Sequence, residues 1–192
     1  MTYSSGGLIQ ASDYNTFTTN SGGLNDIWAT GSGDKGWGQT SFTAVAAGGT
    51  VTATQWATLV NNLASAGSQT SSTLTSRTAP VAGNTITVLS AVAADITTVT
   101  TNRGNAAAIG AQYTTSGSSS GPAESTNAAG WTMTFTQTVT FPSAAQARYF
   151  FNAGGIVRLA YSKSGGTTDK DPDWNTFAGQ CGTINFTGRV NG

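Results

Sequence analysis

A phrase that occurs twice near the start of the chain constrains the fold more than any other feature. Residues 7–17 read GLIQASDYNTF and residues 49–59 read GTVTATQWATL, with Gly, Ile/Val, Ala, Ser/Thr, Asp/Gln, an aromatic, Thr and an apolar residue in the same order. Residues 82–87 (AGNTIT) repeat residues 47–52 (AGGTVT) and form a clipped third copy. Repetition of this kind indicates copies of one supersecondary unit, here an extended segment followed by a helix. Because such a unit cannot bury its own apolar face, it needs neighbours in the same chain or in other subunits.

Each copy predicts a helix that begins with a polar cap. Ser12 and Thr54 are the predicted N-caps, since Ser and Thr side chains accept hydrogen bonds from the first free backbone N–H groups. Helical spacing of apolar residues then predicts three helices. The apolar positions of the first helix are Tyr14, Phe17, Leu24, Ile27 and Trp28, with a break at Gly22-Gly23. Those of the second helix, which ends near Gly67, are Trp56, Leu59, Val60 and Leu63. Those of the third helix, within residues 87–108, are Val88, Leu89, Val92, Ile96 and Val99.

The last third of the chain follows a different pattern. Residues 131–141 (WTMTFTQTVTF) alternate with a period of two, which predicts a strand ended by Pro142. Ser143 is predicted to cap a helix over residues 144–152, stopped by Gly154-Gly155. Further strands are predicted over 156–162 and 183–187, with Trp174 and Phe177 in a loop or short helix between them. Residues 130–192 therefore predict a small antiparallel sheet with one helix laid across it.

These segments together predict an α+β protein in three parts. Residues 1–113 would form a helical oligomerisation or docking region, residues 114–129 a Ser/Gly-rich linker, and residues 130–192 a compact α+β module. Residues 68–82, rich in Ser and Thr, predict a further loop or linker. Residues expected at helix contacts are Tyr14, Phe17, Trp56 and Leu59; those expected in the C-terminal core are Phe135, Val139, Ala147, Phe150 and Phe151.

The chain is unusually poor in charge. Its 192 residues include 8 acidic and 8 basic side chains and no histidine, so 8% are charged, against roughly a quarter in an average soluble protein. No charge falls between Lys35 and Arg77. Disordered chains are typically charged and poor in aromatics, whereas this one has 5 Trp, 5 Tyr and 8 Phe. The composition instead indicates a surface that is covered by partners or neutral by design.

Several functional classes are disfavoured by the same composition. The net charge is zero and the arginines are scattered, which argues against nucleic-acid binding. No run of 18 apolar residues predicts a membrane span, and residues 1–7 lack the features of a signal peptide. The single cysteine, Cys181, predicts synthesis in a reducing compartment.

No catalytic, cofactor-binding or metal-binding residues are predicted, so we expect a protein that is not an enzyme. The absence of histidine excludes Ser-His-Asp and Cys-His catalysis and histidine-ligated zinc. Cys181 is flanked by glycine without a nearby base, which favours an inert cysteine over a reactive thiol. A hydrolase with paired carboxylates is disfavoured because only 8 acidic residues exist.

Three features leave a functional alternative open. Asp169, Asp171 and Asp173 could offer oxygen ligands to calcium or contact a host receptor, but they lack the rest of an EF-hand loop, and a solvated turn is favoured. Residues 30–38 (TGSGDKGWG) are glycine-rich without the Walker spacing, so Ser/Gly turns are favoured over a phosphate site. The aromatics that could line a carbohydrate platform are interpreted mainly as core anchors: Trp37, Trp56, Trp131 and Trp174.

Four segments resemble virion structural proteins of tailed bacteriophages, especially those of cyanophage-type myoviruses. They are residues 9–15 (IQASDYN), 31–39 (GSGDKGWGQ), 45–56 (VAAGGTVTATQW) and 131–155 (WTMTFTQTVTFPSAAQARYFFNAGG). The resemblance implies a particle component without enzymatic residues or cofactors, in the tail, neck, fibre or head. Its expected partners are copies of itself and other virion proteins, not nucleic acid or membrane. Its expected location is the virion, assembled in the host cytoplasm.

The residues and the resemblance together predict a non-enzymatic, homo-oligomeric structural protein of the tail, neck or fibre apparatus. The alternatives are a head decoration protein and a receptor- or glycan-binding module at a fibre tip, the latter prompted by residues 169–174. A glycan hydrolase is a weaker alternative because acidic residues are few and histidine is absent.

Overall fold

The computed structural model describes residues 10–83, 89–105, 138–162 and 171–188. These residues form six helices and one two-stranded antiparallel sheet, which confirms the predicted α+β class. The elements, in chain order, are α1 (Ala11–Thr18), α2 (Asn25–Trp28), α3 (Ala53–Gln69), α4 (Leu89–Thr101), α5 (Ala144–Asn152), β1 (Ile156–Ala160), α6 (Asp171–Cys181) and β2 (Thr183–Thr187).

The two full copies of the repeat begin their helices at equivalent positions. In α3 the Thr52 hydroxyl accepts from the backbone N–H of Gln55 at 3.2 Å, and the Gln55 side chain accepts from the backbone N–H of Thr52 at 2.8 Å. In α1 the Asp13 carboxylate accepts from the backbone N–H of Gln10 at 3.2 Å. A capping box joins the N-cap to the residue three positions later. In this sequence that pairing makes Gln10 the N-cap of α1 and Thr52 the N-cap of α3. The predicted N-caps were therefore wrong by two residues in both copies, at Ser12 and Thr54.

The aromatic residue of one copy packs against the aromatic residue of the other. The rings of Tyr14 and Trp56 meet edge-on with centroids 5.6 Å apart, and Phe17 approaches Trp56 at 6.0 Å. All three are at most 2% exposed, which confirms their predicted place at helix contacts. The rest of the core comes from α2–α4 and the segments between them: Leu24, Ile27, Trp37, Phe42, Leu59, Leu63, Ala66, Val92, Ile96 and Val99.

The first predicted helix is interrupted where the glycine pair stands. Gly22 has a φ of 81°, and the chain turns there between α1 and α2. The third helix, α4, lies within the predicted range of 87–108. Residues 71–81 contain neither helix nor strand, in agreement with the predicted loop.

An extended ribbon between α2 and α3 is held by asparagine side chains. Asn25 bonds both the N–H and the C=O of Phe42, at 2.8 and 3.1 Å. Asn15 does the same for Val45, at 2.8 Å each, and the N–H of Gln39 donates to a carbonyl of α2 at 2.9 Å. The anchors fall at every third residue: Gln39, Phe42 and Val45. The residues between the anchors are left facing outward.

In the C-terminal part, α5 and the two strands lie close to their predicted positions. The Ser143 hydroxyl accepts from the backbone N–H of Gln146 at 3.2 Å, and Gly154 ends the helix with a φ of 84°. The helix and β2 have the predicted bounds, while β1 is two residues shorter than predicted. The strands pair antiparallel, with Ile156 opposite Thr187 and Ala160 opposite Thr183.

The long alternating strand is not observed where the structure describes it. Residues 131–137, including Phe135 and Trp131, lie outside the described residues, and residues 138–141 form no strand. Phe141 instead packs on Phe150 and Phe151 of α5, with ring centroids 5.4 and 5.8 Å apart. The prediction was wrong for this end because the chain there already turns through Pro142 into the capped start of α5.

The predicted C-terminal core was also wrong in the described residues. Val139 and Phe150 are 51% and 39% exposed, and Ala147 and Phe151 are only partly buried. No residue of 138–162 or 171–188 with a described side chain is fully buried. The buried core of the described chain lies entirely between Ala11 and Val99.

Candidate functional site

The glycine-rich segment 30–38 is a docking loop for α5. The Arg148 guanidinium donates to the carbonyls of Thr30 and Lys35 at 2.8 Å each. The Asn152 amide, one helical turn further on, donates to the Lys35 carbonyl at 2.8 Å and to the Gly36 carbonyl at 3.3 Å. Two residues on one face of α5 thus donate hydrogen bonds to several carbonyl oxygens of the loop.

Glycine is required where the loop and α5 approach each other. A Cβ at Gly38 would collide with the ring of Tyr149, and the φ of Gly38 is 71°, in the left-handed region. Next to it the Trp37 indole N–H donates to the Asn152 carbonyl at 3.3 Å. This geometry supports the interpretation of the loop as Ser/Gly turns. A phosphate-binding loop directs backbone N–H groups at its ligand, whereas this loop directs carbonyl oxygens at a guanidinium.

Ion pairs fix the loop at two further points. Lys35 contacts Asp26 of α2 at 2.7 Å, and Arg103, just beyond α4, pairs with Asp34. The hydrogen bond from Arg103 lowers the pKa of Asp34 below its usual value. These charges are engaged with one another, so their role is to hold elements together.

A buried ion pair attaches the segment after α3 to α4. Arg77 and Asp95 pair with side chains only 8% and 9% exposed, and Asp95 also accepts from the backbone N–H of Thr75 at 3.2 Å. The Arg77 Nε has no hydrogen-bond partner in the described chain. Loss of either partner would leave a buried charge unpaired, which is strongly destabilising.

An open groove of about 290 Å³ lies where the two repeat copies and the ribbon meet. Ten residues line it, none of them charged, and nine carry a hydroxyl or carboxamide group; they come from α1, residues 40–43 and the first half of α3. Tyr14 lies in its wall. The sequence predicts Tyr14 at the helix contact but does not predict the groove, since the ribbon that closes one side comes from a segment without a periodic pattern.

The hydroxyl of Tyr14 is the unusual group in this groove. The residue is 2% exposed, and its hydroxyl makes no hydrogen bond to any described residue. That oxygen is nevertheless not sealed from solvent, since it is absent from the buried unpaired atoms of the described chain. Burial raises the pKa of Tyr14 above 10.0, its ordinary value. The remaining exposed surface of Tyr14, which lines the groove, therefore includes an unpaired hydroxyl.

A second candidate surface is the sheet of β1 and β2. Cross-strand partners share a face, so Val157 and Leu159 join Phe186 and Ile184 on one side. Ile184 is 42% exposed and Phe186 is 51% exposed. Seven of the eight large apolar side chains that are exposed in the described chain lie at Val139 or later. The C-terminal part therefore presents an apolar surface that the N-terminal core does not cover.

The other sequence candidates are placed as follows. Trp37 and Trp56 are 8% and 1% exposed, which confirms their interpretation as core anchors; Trp131 and the side chain of Trp174 lie outside the described residues. Cys181 is exposed at the end of α6. Residues 171–173 begin α6 where a turn was predicted, because proline and acidic residues are favoured in a first helical turn. Pro172 and Asp173 are exposed, in agreement with the solvated part of that prediction. Asp169 lies outside the described residues.

Neither a metal cluster nor a membrane helix is found in the described parts of the chain. No three His, Cys, Asp or Glu side chains converge there, and none of those helices is long and apolar enough to cross a bilayer.

Comparisons with known proteins give no match: no protein-family model, curated protein or solved structure is similar to this chain.

Proposed function

We propose that the chain is a non-enzymatic structural protein that functions as a homo-oligomer in the tail, neck or fibre apparatus of a tailed-bacteriophage particle. The observation that carries the oligomeric role is the exposed apolar face of the β1–β2 sheet, in a region where none of the described side chains is buried. The placement in a virion rests on the resemblance of residues 9–15, 31–39, 45–56 and 131–155 to virion structural proteins.

The energetics of the sheet favour association. The strands β1 and β2 are connected through α6, and a sheet of only two strands is at best marginally stable alone in water and needs further strands or a packed layer. Apolar area removed from water contributes about 25 cal/mol per Å², so covering Ile184 and Phe186 would stabilise the sheet. Strand β2 carries no charge or proline that would block edge pairing. An exposed apolar face of this kind is typical of an interaction site.

Another copy of the same chain is the favoured partner. The net charge is zero, so copies do not repel one another over long distance. Low charge also favours association over colloidal stability. Virion components are repeated around symmetry axes, and a self-complementary neutral surface suits that arrangement.

Multi-angle light scattering of the purified chain at micromolar concentration tests the oligomeric role. We expect an oligomer for the native sequence and a shift toward monomer for the double variant Ile184→Thr/Phe186→Thr. The matched control is Asn185→Thr, which changes the opposite face of the same strand. A stable native monomer, or a double variant that assembles like the control, would contradict the proposal.

Copy number in purified particles tests the location. Copies in sixes or twelves would support the tail, neck or fibre apparatus, whereas hundreds of copies would support the alternative of a head decoration protein. A quantitative gel of virions gives this number directly. Absence of the chain from purified particles would refute a virion role while leaving the oligomer result untouched.

A further inference from the structure

We propose that the groove beside Tyr14 binds a neutral saccharide. This inference goes beyond the oligomeric role proposed above and does not depend on it, because the groove lies in the N-terminal core and the assembly surface lies on β1 and β2.

The chemistry of the lining selects the class of ligand. No carboxylate or cation lines the groove, so neither a metal ion nor a phosphate would find a charged partner there. Nine of the ten lining residues carry a hydroxyl or carboxamide group, while carbon atoms make up the larger part of the exposed lining, so the groove suits a ligand that offers both hydroxyls and C–H faces. Ser, Thr and Tyr hydroxyls both donate and accept, and so do the hydroxyls of a sugar. A neutral polyhydroxy compound is therefore the best chemical match.

Most of the lining groups are available for a ligand. Thr52 and Gln55 bond each other in the capping box, and the Thr58 hydroxyl donates to the Thr54 carbonyl at 2.9 Å. The side chains that make no hydrogen bond within the described residues are those of Tyr14, Thr40, Ser41, Thr43, Thr54 and Asn62. The hydroxyl-bearing residues between the anchors of the ribbon are exposed: Thr40, Ser41 and Thr43.

Tyr14 distinguishes this groove from an ordinary hydroxyl-rich surface. The side chain is 98% covered, yet its hydroxyl makes no hydrogen bond to a described residue and is still reached by solvent, so it is free to bond a ligand. Its ring already packs on Trp56, so the packing does not need the hydroxyl. A ligand hydroxyl at the groove would supply the missing partner.

The dimensions favour a small saccharide or the end of a longer one. The volume of about 290 Å³ lies at the lower end of the roughly 300–1,000 Å³ typical of small-molecule sites. Phe42 is only 9% exposed, so recognition would rest on hydrogen bonds and not on stacking over an open ring. We expect weak binding to a single site, strengthened by multivalency if the chain assembles.

The test is a titration of the full chain, followed by ¹H–¹⁵N chemical shifts, with neutral oligosaccharides of glucose, galactose and N-acetylglucosamine. A sialylated oligosaccharide of equal length is the charged comparison. We expect shifts confined to the amides of residues 40–43 and 52–62, and weaker binding of the sialylated sugar. Removal of one hydroxyl in Tyr14→Phe should raise Kd roughly three- to tenfold.

Two further variants keep the result interpretable. Thr43→Val removes a hydroxyl from the opposite wall at nearly constant volume and should also weaken binding. Tyr161→Phe, at a 40% exposed position outside the groove, should leave Kd unchanged. The proposal is overturned if no neutral sugar shifts the groove amides at millimolar concentration or if the shifts map elsewhere. Equal effects of the Tyr14 and Tyr161 changes, or tighter binding of the sialylated sugar, would overturn it too.

Discussion

At the residue scale, Tyr14 combines a structural ring with a hydroxyl that the fold does not use. The ring packs on Trp56 at the contact between the repeat copies, and burial raises the pKa of the phenol. A group whose pKa is higher in the folded than in the unfolded state contributes stability below the unfolded value. That contribution is lost as the pH rises through the unfolded and then the folded pKa.

Alkaline unfolding should therefore depend on this one hydroxyl. We expect the free energy of unfolding of the native chain to fall above about pH 10, and to fall less steeply in Tyr14→Phe. At neutral pH the two proteins should differ by no more than about 0.5 kcal/mol, since the hydroxyl has no partner in the described chain. Urea unfolding over a pH series measures both the fall in stability at alkaline pH and the difference at neutral pH, with Tyr161→Phe as the control for an exposed tyrosine. Parallel curves for the native and Tyr14→Phe proteins would contradict this account.

At the scale of elements, the repeat encodes a helix start and an aromatic anchor one turn later. Thr52 and Gln55 satisfy each other's backbone N–H groups at the start of α3, and Trp56 follows directly as a core residue. The same spacing in α1 places Tyr14 after Asp13. The motif therefore aligns the start of each helix with the residue that anchors it to the other copy.

The position of the cap can be tested by two alanine substitutions in one helix. Thr52→Ala removes the N-cap hydroxyl and should cost roughly 0.5–2 kcal/mol of stability. Thr54→Ala, at the position favoured by the sequence pattern alone, should change stability by less than about 0.5 kcal/mol, because its hydroxyl bonds no described residue. Thermal or urea unfolding of the two variants decides between them. A larger cost at Thr54 would restore the cap predicted from the sequence.

At the scale of the whole molecule, α5 links the C-terminal part to the N-terminal core. Arg148 and Asn152 bond the carbonyls of residues 30–36, and Gln69 of α3 donates to the Ala153 carbonyl at 3.1 Å. These contacts are polar and lie at the edge of a core that ends at Val99. We call Arg148 and Asn152 together the latch. We expect the core to fold independently of this latch.

Replacement of Arg148 by methionine should release the latch and leave the core folded. Hydrogen bonds from a charged group contribute about 1.5–3 kcal/mol, so amide protection in α5 should fall roughly tenfold or more. Protection in α3 and α4 should stay close to that of the native chain. Hydrogen exchange measures both regions, and Arg158→Met on the exposed face of β1 is the control. Equal loss of protection in α3 would show that the latch is part of the core.

Sequence patterns predicted where the helices and strands lie better than they predicted which residues are buried. The bounds of α5 and β2 and the break at Gly22 were predicted because caps, stops and periodicity act over a few neighbouring residues. Helical spacing also identified Val92, Ile96 and Val99 as buried positions. Phe150 and Val139 have the same apolar character, yet they are exposed, since burial depends on which other element lies opposite. The pattern of residues cannot supply that element.

By itself the sequence determined the α+β class, the repeated helix start and the aromatic residues that anchor it, since these depend on interactions within one or two helical turns. Only the tertiary structure decided that Tyr14 contacts Trp56 and that a groove lined by hydroxyl-bearing residues lies beside them. It also decided that Arg148 donates hydrogen bonds to the carbonyls of a loop more than 100 residues away. Such contacts join segments that carry no mutual signal along the chain. They exist because the folded backbone brings a donor and an acceptor, or two apolar faces, to the same place.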